Sequence, residues 1–121
     1  MTTSLPGDKD TLNTLLPLAP SSFFVLFALA DGERHGYRIM QDVKVLSEGR
    51  LQMGPATLYT TIQKLSSLGL IEEIDSESNA RRRTYRLTHD GKRLLDAELS
   101  RQRNVLLLAR KKKIFQFGGQ L

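Results

Sequence analysis

The stretch that decides the fold runs Gly54-Pro55-Ala56-Thr57-Leu58-Tyr59-Thr60-Thr61-Ile62-Gln63-Lys64-Leu65-Ser66-Ser67-Leu68-Gly69-Leu70-Ile71-Glu72-Glu73-Ile74. It reads as a short helix, a glycine stop and a strand. Pro55 suits the first helical position, where a missing N–H costs nothing and a φ near the helical value is already set. Leu58, Ile62, Leu65 and Leu68 recur at spacings of four, three and three, which makes one apolar helix face. Gly69 suits the left-handed residue that ends such a helix. Thr57, Tyr59, Thr60, Thr61, Gln63 and Lys64 are then expected to face outward, as neutral donors and acceptors with a single cation. Such a face suits base edges and phosphates in a DNA groove better than it suits catalysis.

Upstream, Met1 to Leu16 has no clear periodicity and reads as part of a loose arm over residues 1–17. Pro20-Ser21-Ser22 offers a helix start, and Phe23 to Ala30 forms a first helix with no polar face. A helix that is apolar all round must be covered all round, so a second subunit is expected to supply part of the cover. Asp31-Gly32-Glu33-Arg34 reads as a turn. A second helix follows from Gly36 to Leu46, with Ile39, Met40, Val43 and Leu46 on one face, and Gly49 ends it. Arg50 to Met53 alternates weakly, as a short strand would.

Downstream, Leu70 to Asp75 and Arg82 to Thr88 are β-compatible runs joined by turn-rich Ser76-Glu77-Ser78-Asn79-Ala80. Tyr85 and Leu87 share one face of the return strand, while Arg82, Thr84 and Arg86 share the other. Thr88 can cap the next helix, with Asp90 near its positive end. That helix is expected to reach Lys113, about 25 residues or roughly 37 Å at 1.5 Å per residue. Along it Leu95, Leu99, Gln102, Leu106 and Ala109 form a seam for another helix, broken at Gln102. The predicted architecture is mainly α with a small β-hairpin: a winged helix-turn-helix over residues 18–88, a dimerisation helix over 89–113 and a tail over 114–121.

Charge is divided unevenly. Residues 1–80 carry 6 basic and 10 acidic side chains, a net of −4, whereas residues 81–121 carry 12 basic and 3 acidic, a net of +9. Basic charge gathered in one part of a chain is the footprint of a polyanion binder, with a solvated surface as the alternative. The chain has no cysteine, hence no disulfide framework or thiolate metal site, and its two histidines make a metal centre unexpected. Ala28-Leu29-Ala30 imitates a signal-peptidase site, but Asp8, Lys9 and Asp10 sum to −1 where a signal peptide is positive. The uninterrupted apolar run is too short to span a bilayer. A cytoplasmic protein without a membrane partner is expected.

Three motifs also carry a resemblance. His35-Gly36-Tyr37-Arg38-Ile39, then Thr57-Leu58-Tyr59 with Leu65 and Gly69-Leu70-Ile71, then Arg83-Thr84-Tyr85-Arg86-Leu87-Thr88-His89-Asp90-Gly91 resemble the PadR family of bacterial transcriptional regulators, over roughly Leu18 to Leu108. The resemblance implies a dimeric winged-helix repressor whose third helix enters the DNA major groove and whose wing contacts the flanking backbone. It also implies that the C-terminal helix dimerises with the N-terminal helix of the other subunit, through Phe23, Phe24, Phe27, Leu95, Leu99, Gln102, Leu106 and Ala109. Tyr37 and Tyr59 become the tyrosines near DNA, and Arg83 and Tyr85 lie on the return strand of the wing. The single C-terminal helix resembles the short-tailed subgroup. Some drug-binding members stack planar ligands on a tryptophan, and this chain has none.

The expected DNA contacts are therefore Tyr37, Thr57, Tyr59, Thr60, Gln63 and Lys64, with Arg81, Arg82 and Arg83 on phosphates. Gln suits adenine N6 and N7, and Thr suits a phosphate oxygen or a thymine methyl. Tyr59 at the edge of the core and Tyr37 in packing are the plainer alternatives. His35 and His89 are read as structural. Glu72 and Glu73 point to opposite strand faces, which argues against paired acid–base work. No nucleophile–base pair is visible, so no catalytic residue and no cofactor is expected. A homodimer on double-stranded DNA, answering to a small-molecule or protein effector, is the first reading. A winged-helix module that binds protein instead of DNA is the alternative.

Overall fold

Two of the helices begin where a proline offers a start. The computed structural model of the protein describes residues 9–75 and 83–112. In chain order these form α1 (Lys9–Asn13), α2 (Pro20–Ala28), β1 (Arg34–His35), α3 (Gly36–Leu46), α4 (Pro55–Ser67), β2 (Ile71–Asp75), β3 (Thr84–Leu87) and α5 (His89–Lys112). Pro20 and Pro55 each stand at the opening of a helix, as their fixed φ favours. Gly69, with φ of 75°, takes the left-handed residue after α4 and turns the chain into β2.

The hub is α2, which packs on α3, α4 and α5. Val25 and Leu26 from α2 meet Ile39 and Val43 from α3, Leu58 and Leu65 from α4, and Leu70 and Leu94, all fully buried. Most of the cover of α2 comes from its own chain, because the three helices that pack on it bury Phe23 as well as the aliphatic residues. Phe24 and Phe27 stay half-buried, with Phe23 stacked on Phe27 at 5.4 Å and edge-on to Phe24 at 5.0 Å.

Two readings are corrected. Residues 9–17, expected within a loose arm, include α1, which lies on α5 and buries Leu12 in the core. One buried leucine in a helix of five residues leaves no periodicity to detect. The sheet also has three strands and not two, ordered β1-β3-β2 and antiparallel throughout. The third strand lies in the segment read as a turn, with Arg34 opposite Tyr85 and His35 opposite Thr84. Arg50 to Met53 is not a strand. Two residues are too few to alternate visibly, and only the neighbouring β3 makes them a strand.

Thr88 joins the two halves of the fold. Its N–H donates to the Leu70 carbonyl at 3.0 Å, and its hydroxyl donates to the Gly69 carbonyl at 2.6 Å. The same hydroxyl accepts the Gly91 N–H at 3.1 Å, the N-cap expected for α5. Gly91 lies so close to the Leu70 carbonyl that a Cβ there would collide with it. A similar close approach occurs at the start of α3. The Tyr59 ring and hydroxyl from α4 occupy the space that a Cβ on Gly36 would fill.

Midway along α5, Glu98 is buried to 1% exposure. Its carboxylate accepts two hydrogen bonds from Arg101, at 2.5 and 3.2 Å, and the Leu18 N–H at 3.2 Å. It thereby ties α5 to the link between α1 and α2. The Arg101 guanidinium, helped by the Leu18 amide, holds the Glu98 carboxyl below the ordinary range against the opposing effect of burial.

Two predictions test this packing. Because the folded-state carboxyl of Glu98 titrates below the usual 4.5, its stabilisation is complete above that value and is lost as pH falls through the lowered one. Glu98→Gln should therefore cost about 1–3 kcal/mol at pH 7, and the gap to wild type should narrow in acid, as read by urea unfolding at both pH values. A gap that widens in acid would mean that the buried group is neutral. In the second, Gly36→Ala should destabilise the fold by about 1–3 kcal/mol through overpacking. That cost should shrink in a Tyr59→Ala background, where the obstructing ring is gone. Equal costs in both backgrounds would show that the two residues do not meet.

Candidate nucleic-acid interface

The candidate site is built on α3, α4 and the strands that follow. Between the helices, the Ser47 hydroxyl accepts the Leu51 N–H at 3.0 Å, while Glu48 and Gly49 take left-handed conformations with φ of 55° and 78°. This pins the turn that sets α4 against α3. On α4, Leu58, Thr61, Ile62 and Leu65 are buried at spacings of three, one and three, so the inward stripe is wider than the leucine and isoleucine pattern alone suggests. Leu68, expected on that stripe, is the exposed C-cap residue.

Four of the residues expected to read DNA lie together on the outside. Thr57, Thr60, Gln63 and Lys64 are exposed, and at 3.6 residues per turn they span roughly 120° of the helix surface. Thr61 and Tyr59 are corrections to the outward face. Thr61 is buried, and its hydroxyl donates to the Thr57 carbonyl at 2.9 Å. Tyr59 is half-buried, turned toward Gly36 and close enough to Tyr85 to influence its phenol. Tyr37 is 55% exposed in the first turn of α3, next to the residue that Tyr59 covers.

The return strand begins at the same corner. The Arg83 carbonyl accepts the Gly36 N–H at 3.2 Å, so the backbone of Arg83 is fixed to the start of α3. The Arg83 guanidinium lies 3.4 Å from the Glu73 carboxylate. One residue along β2, Glu72 accepts a hydrogen bond from Arg86 at 2.7 Å. Burial first, and then Glu73, raise the pKa of the Tyr85 phenol, which sits in the core and not at the surface. His35 Nδ1 and the Thr84 hydroxyl are 3.0 Å apart across β1 and β3, which gives that histidine a structural partner. Arg81 and Arg82 lie outside the described residues.

Sequence reasoning missed the part played by Glu72 and Glu73. They do point to opposite faces, but each meets an arginine of the return strand. The signal was the hairpin register, which places Glu72 opposite Arg86 and Glu73 opposite Tyr85. On α5 the expected seam divides. Leu95 is already buried in its own core, whereas Leu99 and Leu106 remain 37% and 38% exposed, with Gln102 and Ala109 half-buried. Val105, Leu107 and Leu108 are exposed as well. Among the described residues no helix is long and apolar enough to cross a membrane. Among them, too, no three His, Cys, Asp or Glu side chains gather where a metal ion could sit.

Comparison with known proteins agrees with this geometry. Residues 25–97 match the Transcriptional regulator PadR-like family. Over 78 residues the chain is 37% identical to an uncharacterised 37.1 kDa protein in a transposon of Streptomyces fradiae, a match spanning 64% of this chain and 21% of that protein. The chain thus corresponds to about a fifth of that relative's length. A PadR family transcription regulator of Clostridium difficile superimposes with a TM-score of 0.63 at 22% identity, covering 77% of this chain and 97% of that one. Bacillus subtilis PadR, solved in complex with operator DNA, superimposes with a TM-score of 0.56 at 25% identity, covering 69% of this chain and 47% of that one. The family match extends from α2 into the first turns of α5, more than half of the sequence, and the chain belongs to the PadR-like family of transcriptional regulators.

Proposed function

We propose that this protein is a sequence-specific DNA-binding regulator that acts as a homodimeric repressor on a pseudo-palindromic operator and is released by a signal. The observation that carries the reading is α4 itself. Its inner side is locked into the core, while its outer side presents Thr57, Thr60, Gln63 and Lys64. The capture of Bacillus subtilis PadR on operator DNA supports the same use of the fold here. In this reading residues 18–88 form the DNA-reading unit and residues 89–113 the dimerisation helix. Arg81, Arg82 and Arg83 supply phosphate attraction, and the neutral side chains of α4 supply discrimination. Tyr37 takes a backbone contact at the corner where α3 begins, and Tyr59 supports that corner from behind.

The dimer rests on the far half of α5. Leu99, Val105, Leu106, Leu107 and Leu108 are exposed there, more apolar surface on one helix than water favours. Phe24 and Phe27 of α2 are the expected counterpart on the other subunit. An effector would act by binding one arrangement of the dimer more tightly than the other. The repressor role and the cytoplasmic location follow the family resemblance.

Selection of bound sequences from random DNA tests the proposal. The expected result is two related half-sites about one helical turn apart, or a multiple of it. Changing Arg81, Arg82 and Arg83 together to Ala should weaken binding to all sequences and flatten the log–log salt slope by about 2 to 3. Gln63→Ala should instead relax preference at one base position, by about 1–3 kcal/mol. Failure of the wild type to enrich any sequence would leave the protein-binding module as the reading. Sedimentation at micromolar concentration should show a dimer that Leu99→Asp with Leu106→Asp converts to monomer, and a wild-type monomer would remove the dimer model.

A further inference from the structure

The two arginine–glutamate pairs of the hairpin are not equivalent. In a strand, side chains alternate between faces. Arg83 shares a face with Tyr85 and Leu87, which are buried, and its Glu73 partner lies opposite Tyr85. That is the face turned toward α4, where Tyr59 approaches Tyr85. Arg86 and Glu72 face each other across the strands on the opposite side. Arg83 alone of the two also starts from a backbone held to α3, through the hydrogen bond from Gly36 to its carbonyl. A guanidinium on a fixed stem beside the recognition helix is paired with a carboxylate 3.4 Å away, and both side chains keep contact with water.

We propose that Glu73 sets the affinity of the DNA-binding surface, competing with DNA phosphate for Arg83. The inference rests on the DNA-binding reading above. In the free protein, Glu73 neutralises the Arg83 cation. On DNA, a phosphate oxygen replaces the carboxylate as acceptor for the guanidinium. The exchange subtracts from affinity for every sequence, because phosphates are the same everywhere. Phosphate attraction supplies essentially all of the binding to non-operator DNA. An operator adds base contacts from α4 that the competition does not touch. Glu73 thus lowers binding to operator and random DNA by the same factor, holding background binding down while leaving the ratio between them to α4. Glu72, on the face turned away from α4, has no such effect, although it carries the same charge and also pairs with an arginine.

The experiment measures binding of the full chain to its selected operator and to a scrambled duplex, across a salt series, for wild type, Glu73→Gln, Glu72→Gln, Arg83→Ala and Glu73→Gln with Arg83→Ala. Glu73→Gln should bind operator and scrambled DNA alike about two- to fivefold tighter at low salt, the size expected for releasing one exposed ion pair. Its log–log salt slope should match that of wild type, because Arg83 meets a phosphate in both complexes. Glu72→Gln should match wild type. The gain from Glu73→Gln should vanish when Arg83 is Ala. Persistence of the gain without Arg83, or an equal gain in Glu72→Gln, would overturn the inference by showing a general charge effect. Wild-type binding with Glu73→Gln unchanged would overturn it alone. Absence of DNA binding by every protein would instead overturn the DNA reading, and this inference with it.

Discussion

The hydroxyl of Thr88 holds the geometry on which the rest of the molecule depends. It bonds the Gly69 carbonyl at the end of α4 and the Gly91 N–H at the start of α5, so the candidate recognition helix and the long C-terminal helix terminate on one atom. The Leu70 carbonyl closes the arrangement from the other side by accepting the Thr88 N–H, and Gly91 has no side chain to keep the two backbones apart. Polar groups at helix ends need partners when packed against protein. Here each end satisfies the other. Any reorientation of α5 must therefore either carry the end of α4 with it or break these bonds.

A second corner fixes the opposite end of α4. Tyr59 fills the space beside Gly36, and Gly36 in turn bonds the Arg83 carbonyl. The helix is thus held at both ends and along its buried stripe, leaving Thr57, Thr60, Gln63 and Lys64 on a rigid support. Charge is separated from this surface. Lys64 is the one cation on α4, whereas the arginines gather on the return strand, where glutamates of β2 meet the two described ones. Neutral groups discriminate between bases by hydrogen-bond geometry, while cations attract all phosphates alike. Placing the two on different elements allows each to change without the other.

Much of this was legible in the residues. Pro55, the spacing from Leu58 to Leu65 and Gly69 describe α4 within a residue or two, because helix starts, faces and stops are local matters. The cap at Thr88 was legible for the same reason. Other parts were not. β1 is two residues long and exists only because β3 lies beside it. Thr61 is a polar residue on a buried stripe, and its hydroxyl is satisfied within its own helix, which composition does not reveal. Glu98 lies off the seam from Leu95 to Ala109, and a carboxylate gives no sign of burial until Leu18 and Arg101 are seen around it.

The sequence by itself determined the order and type of the main elements, four of the six residues it set on the outside of α4, and the membership of a regulator family, since these depend on periodicity, end signals and motif spacing. Only the tertiary structure decided that α2 is covered largely by its own chain, that Tyr59 turns inward, and that the arginines of the return strand meet glutamates on opposite faces. Those facts depend on which surfaces meet. Contacts between residues far apart in the chain are set by packing and strand register, and neither is written in the spacing of neighbours.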